Sequence, residues 1–301
     1  MPLGWFRVAI ALFCITKLLV VRRSLLDIYG QYGFVQWVIT RANLYVGLPH
    51  LGNVIGCLRS LGLALDQAVV VMLYLHCLVL CGLLIGFCTR WVALLTWFMN
   101  FLWMHAGGGL MYGMDIFTHI ALFYCVIMPV SAYLSVDACL NGHHDQSSVA
   151  AGVTRRMLQL HMCIIYLSSG IEKAAGSEWR NGEAIWRALM LPVFRQFDMT
   201  WLAHVPWLAM LITWLVLAIE IGYAFLIWWR KTRWIWLGLA VGMHLAIGLF
   251  LGMWLFALIM VILNLAAFGY DVFPHYNQLV KQITSSSLLK PGRLLRPRFI
   301  G

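Results

Sequence analysis

The sequence predicts an all-α integral membrane protein, a bundle of about eight transmembrane helices with interfacial helices capping its outer face. Three observations carry this. Sixty-two per cent of the residues are apolar. Only 11% are charged, against roughly 25% in a soluble domain. The apolar residues also fall in runs of about 20, the length a helix needs to cross a hydrocarbon core about 30 Å thick.

Seven runs stand out: residues 4–21, 67–88, 91–106, 114–136, 157–174, 206–229 and Trp234 to Phe268. The last is too long for one crossing and divides at Leu251-Gly252, giving eight helices. The first lacks a small-residue cleavage site and is followed by Arg22 and Arg23, so it reads as a retained helix. Loop charge sets the orientation. With the N-terminus inside, the inner loops carry Arg90, Arg155, Arg156, Arg230, Lys231 and Arg233, and the tail adds Lys281, Lys290, Arg293, Arg296 and Arg298. The outer loops are long and hold fewer basic residues, so both termini are expected inside. A seven-helix count would put the basic tail and the Arg230–Arg233 loop on opposite sides. The expected organisation is a single transmembrane domain over 1–270 and a basic cytoplasmic tail over 271–301.

The two long outer loops, 23–66 and 175–205, carry Trp37, Trp179, Trp186 and Trp201 with Tyr29, Tyr32 and Tyr45. Such aromatics favour the headgroup layer, which predicts short interfacial or re-entrant helices there. The net charge of +10 sits in short loops and the tail. That distribution suits anionic membrane lipid and not nucleic acid. The eight cysteines show neither zinc spacing nor a disulfide framework. His76, His119, His161 and His244 are deep enough to bind metal or haem, but no two share the i, i+4 spacing of a helical site, so no metal is predicted. Gly107-Gly-Gly109 reads as a tight connection between helices, because a phosphate loop would need a preceding strand and a lysine.

The most informative residue is Lys173, at the end of an apolar helix. An ammonium at membrane depth costs about 2.5–3.5 kcal/mol on insertion scales. A half-dry lysine is also readily deprotonated. Met162, Tyr166, Ser169, Gly170 and Lys173 share one stripe of the helix, with Gly170 leaving room beside the amine and Tyr166 two turns below. The bland reading is a lysine that snorkels to the interface, paired with Glu172. Other charges in apolar helices must pair or face a wet cavity. Asp115, at the outer end of the fourth helix, is placed to reach Lys173. Glu220, near the middle of the sixth, is either a partner for a buried cation or a proton-handling group. Arg7 and Lys17 read as structural.

Several of these pieces occur in a known order. Tyr166-x-x-x-Gly170-Ile-x-Lys173, then five residues and Trp179-x-x-Gly182, follow Tyr112-Gly113 and Leu134-Ser-Val-Asp137. This resembles the vitamin-K-dependent gamma-carboxylase superfamily, and within it the bacterial HTTM (horizontally transferred transmembrane) branch. Phe6-Arg7, Gly86-x-x-x-Arg90, Glu220 and His244 also fall where that family has similar residues. The resemblance implies a bacterial inner-membrane protein in which Lys173 is the general base, assisted by Tyr166, in an outward-facing pocket. Asp115, Glu172, Gly170, Trp179, Glu220 and His244 would line or tune it. A reduced, vitamin-K-like quinone, a lipid quinol, would be the small partner.

Two departures are specific. Glu172 stands where the family has the first of two lysines, and Gly108 falls near a family histidine. The large lumenal domain of the animal carboxylase is also expected to be missing. These differences count against carboxylation of protein glutamates and leave quinol-linked oxidation or another peptide modification. The resemblance also admits a rival role, because some bacterial members help mature a secreted antimicrobial peptide of the sporulation-delaying type. In that role the chain would bind the peptide precursor without catalysis.

Overall fold

A computed structural model describes residues 3–35, 37, 39–40, 48–106, 111–141 and 149–270. The tail 271–301, the Gly107-Gly-Gly109 connection, Arg41 and Tyr45 lie outside the described residues. Those described are helical or connect helices. In order they form α1 (Leu3–Arg22), α2 (Leu25–Tyr29), α3 (Leu51–Ser60), α4 (Leu65–Ile85), α5 (Thr89–Met104), α6 (Gly113–Ile127) and α7 (Val136–Asn141). The second half holds α8 (Val149–Ala175), α9 (Ser177–Arg180), α10 (Ala184–Met190), a 3-10 turn (Thr200–His204), α11 (Pro206–Leu226), α12 (Arg233–Leu251) and α13 (Trp254–Asn264). A π turn (Leu265–Gly269) closes it.

Each of the eight predicted apolar segments has its helix: α1, α4, α5, α6, α8, α11, α12 and α13. By length and composition α1, α4, α11 and α12 can each cross a membrane, while Gly113–Ile127 and Trp254–Gly269 are shorter apolar helices. The break at Leu251-Gly252 is where the sequence puts it, with Gly252 in the left-handed region at φ 71°. Two boundaries differ from expectation. The fourth apolar run does not stay helical to residue 136. Met128 turns extended at ψ 148° ahead of Pro129, whose ring disfavours a helical residue before it, and α6 ends at Ile127. Among the described residues the fifth helix starts at Val149, not 157, because about two further turns, Val149-Ala-Ala-Gly-Val-Thr-Arg-Arg156, precede the apolar run.

The helices pack chiefly as α8 with α11, α12 with α13, α5 with α6 and α1 with α4. Arg7, Gly86 and the stretch from Leu134 to Asp137, family-like residues of the first half, meet in one joint. Arg7 is fully buried in α1. It donates to the Val130 carbonyl at 3.3 Å, to Leu84 at 2.6 Å, to Leu134 at 2.6 Å and to Leu83. A β-carbon on Gly86, at φ 71°, would sit 2.5 Å from Ser135 Cβ and 2.9 Å from Arg7 Cζ, so only glycine fits there. Asp137 completes the joint by accepting from the Cys88 and Thr89 N–H groups at 2.8 and 2.7 Å, which caps α5. Burial alone would raise the Asp137 pKa, but these amide bonds, with Arg7 behind them, hold it below the ordinary carboxylate value.

Arg7→Met should therefore cost about 3 kcal/mol or more, since several buried carbonyls lose a charged donor. Asp137→Asn should cost about 1 kcal/mol, in the range of a lost helix cap. Because the folded pKa of Asp137 is lowered, its contribution is complete above the unfolded value near 4. It fades as pH falls through the folded value. Thermal melts of purified protein should show wild type and Asp137→Asn separated at pH 7 and converging toward pH 3.

Candidate functional site

Lys173 reaches across from α8 to α11. Its Nζ lies 2.7 and 2.8 Å from the two carboxylate oxygens of Glu220 and donates to Ser169 Oγ at 2.6 Å. The side chains are 28% and 8% exposed. The Trp179 ring closes one side, its centroid 5.4 Å from Nζ. Gly170 makes the approach feasible: a β-carbon there would meet Ile221 Cγ1 at 2.7 Å and Glu220 Cβ at 3.2 Å. Of the two roles open to Glu220, the geometry shows the first, partner to a buried cation.

Lys173 is near the end of α8, and Glu220 is about 21 Å along α11 from its first residue at 1.5 Å per residue. Beyond Ala175 the chain folds against α11 as α9 and α10. Thr213 Oγ1 shares its proton between the Ala209 carbonyl at 2.8 Å and the Gly182 carbonyl at 3.0 Å, and Trp214 Nε1 donates to the Arg180 carbonyl at 3.2 Å. Gly182 is left-handed at φ 80°, and a β-carbon would strike Met210.

Above the pair is a cavity of about 680 Å³, with Lys173, Trp179 and Glu220 in its wall. The rest is almost entirely apolar, from α10, the 3-10 turn, α11 and α12. Glu220 is the last α11 residue to line it, after positions such as Leu208, Ile212 and Val216, so the charges sit at one end. Small residues make the space: Gly238 and Gly242 face it from α12, and a β-carbon on either would meet no atom within 4 Å.

Tyr166 and His244 form a second, fully buried network beside the pair. Tyr223 donates to Asn264 Oδ1 at 2.7 Å, and Asn264 Nδ2 donates to the Met260 carbonyl and to Tyr166 Oη, each at 2.8 Å. The Met260 carbonyl fixes which end of the amide donates. The Tyr166 hydroxyl is then free to give its own proton to His244 Nε2, 2.8 Å away. In that tautomer the His244 proton is on Nδ1, which has no partner among the described residues. Tyr166 Oη is thus engaged by Asn264 and His244. Asp115 is not at this site: it binds Lys17 at 2.6 Å. Glu172 is exposed on α8 while the lysine turns to Glu220. The remaining deep histidines are dispersed, His161 against Tyr124 and His119 against Trp97. Among the described residues no three His, Cys, Asp or Glu side chains gather as a metal would require. Asn264, Tyr223 and Thr213 escaped the sequence reading. A lone asparagine ending the apolar run from Trp254 was the available signal.

These features define a multi-pass helical membrane protein with an ion pair at one end of a large apolar cavity. The chain belongs to the HTTM domain family, whose model matches residues 58–271. That family is related to the transmembrane region of gamma-carboxylases. No curated protein and no solved structure matches the chain.

Glu220→Gln strands the ammonium and Lys173→Met strands the carboxylate, so each should cost about 3–5 kcal/mol. The double variant Lys173→Met/Glu220→Leu should recover most of that loss, because no unpaired charge remains. Thermal unfolding of the three proteins in one detergent checks the ordering.

Proposed function

We propose that the chain is a bacterial inner-membrane protein of eight crossings, with both termini cytoplasmic, that binds a lipid quinol and takes a proton from its hydroxyl. The observation that carries this is the placing of the Lys173–Glu220 pair at one end of an otherwise apolar cavity of about 680 Å³. A lipid quinol has the matching pattern, a polar ring at one end and a hydrocarbon tail. The volume lies in the range of about 300–1,000 Å³ usual for small-molecule sites.

As built, the pair is an ammonium and a carboxylate. In this reading Lys173 passes its proton to Glu220 across their 2.7 Å contact, which leaves a neutral amine. That amine then accepts the quinol proton. The quinol O–H bond breaks, a quinolate forms, and Lys173 becomes an ammonium again. Trp179 packs over the amine and limits water.

Gly242→Leu fills open space without a clash and should fold normally, yet weaken binding at least tenfold. The probe is menaquinol with one isoprene unit, in lipid nanodiscs, followed by quenching of tryptophan fluorescence. Lys173→Arg keeps the charge but not the easily lost proton. It should bind within about threefold of wild type and lose most of the acceleration that quinolate formation gives to reaction of the bound quinol with oxygen. Unchanged binding in Gly242→Leu together with unchanged acceleration in Lys173→Arg would overturn the quinol reading in favour of precursor binding without catalysis.

A further inference from the structure

A second cavity, of about 260 Å³, lies between α1, α2, α4, α5 and α6 and shares no lining residue with the first. Three polar features line it. One is the Lys17–Asp115 pair, its side chains 15% and 14% exposed. The others are His76, 3% exposed, whose two ring nitrogens both lack a hydrogen-bond partner among the described residues, and Trp103, whose Nε1 donor lacks one too. Each such buried group left unmatched costs about 1–3 kcal/mol.

The hydrogen-bond arithmetic specifies what would suit the site. Asp115 is engaged on both oxygens, Oδ1 by Lys17 and Oδ2 by the Tyr112 N–H at 3.3 Å. An ammonium has three donors, and one goes to Asp115, so Lys17 has donors to spare. His76 offers a ring nitrogen as acceptor. Lys17 and Asp115 cancel, and a further unpaired charge at this depth would be costly, so the ligand is neutral. The walls hold the rings of Tyr29, Trp103 and Tyr112 and the thioethers of Met104, Met111 and Met114. Rings and polarisable sulfur both favour a flat aromatic guest. A cavity of about 150 Å³ holds benzene, so this one takes a single ring with small substituents but no long tail.

We infer that this cavity is a separate binding site for a neutral one-ring aromatic carrying a hydroxyl, with the hydroxyl donating to His76 and its oxygen accepting from Lys17. The inference stands apart from the reading of the first cavity.

The test uses 4-fluorophenol as probe, titrated by fluorine NMR against the full chain in detergent. Wild type should show saturable binding, with fluorobenzene, which lacks the hydroxyl, at least tenfold weaker. His76→Leu and Lys17→Met should each weaken 4-fluorophenol at least tenfold. If Lys17→Met fails to fold, His76→Leu with a wild-type melting temperature decides the matter. Gly242→Leu, in the first cavity, should leave the affinity unchanged. Absence of saturable binding, full affinity in folded His76→Leu, or loss of binding in Gly242→Leu would each overturn the assignment.

Discussion

An ammonium and a carboxylate 2.7 Å apart, well down a helix of apolar residues, stabilise each other only while both are present. That requirement accounts for much of the local structure. α8 and α11 must come close, so position 170 cannot bear a β-carbon. α8 ends soon after Lys173, so the chain turns back against α11, and Thr213 and Trp214 supply hydrogen bonds to the turn. Tyr166 on α8 and His244 on α12 share a hydrogen-bond network with Asn264 and Tyr223, and the lysine is left to its carboxylate.

Among the residues that resemble the family two groups stand out, while Tyr112 lines the smaller cavity and Tyr166 and His244 share a buried network. Arg7, Gly86, Leu134 and Asp137 build a joint that ties α1 to the end of α4 and the start of α5. Gly170, Lys173, Trp179, Gly182 and Glu220 build the cavity end. The first group is explained by backbone hydrogen bonding and close packing alone. Only the second brings a charged side chain to open space. A shared motif therefore marks the scaffold as readily as the chemistry.

Much of the fold was legible because a bilayer fixes helix length, and apolar runs of that length read directly off the chain. The exceptions have local causes. The end of α6 was overrun because residues 128–136 are apolar enough to continue, and hydropathy does not register that Pro129 forbids it. At the site, Lys173 was conspicuous as a charge among apolar neighbours, and so was Glu220. Their pairing was not, since two charges 47 residues apart show no register until the helices are packed. Asp115 was matched with Lys173 for that reason, and only packing shows that its partner is Lys17.

The Arg7 joint bears on how the chain is made. Arg7 is synthesised well before its carbonyl acceptors, which lie 76 to 127 residues downstream. At about 5–20 residues per second, synthesis takes about 6–25 s to supply the last of them. For that interval the guanidinium has no place in hydrocarbon. α1 must wait in the insertion machinery or at the membrane surface until α4 and the segment after α6 arrive. Assembly of this half of the bundle is thereby tied to late-coming chain, and a protein truncated before Val130 would lose two of the four carbonyls that hold Arg7.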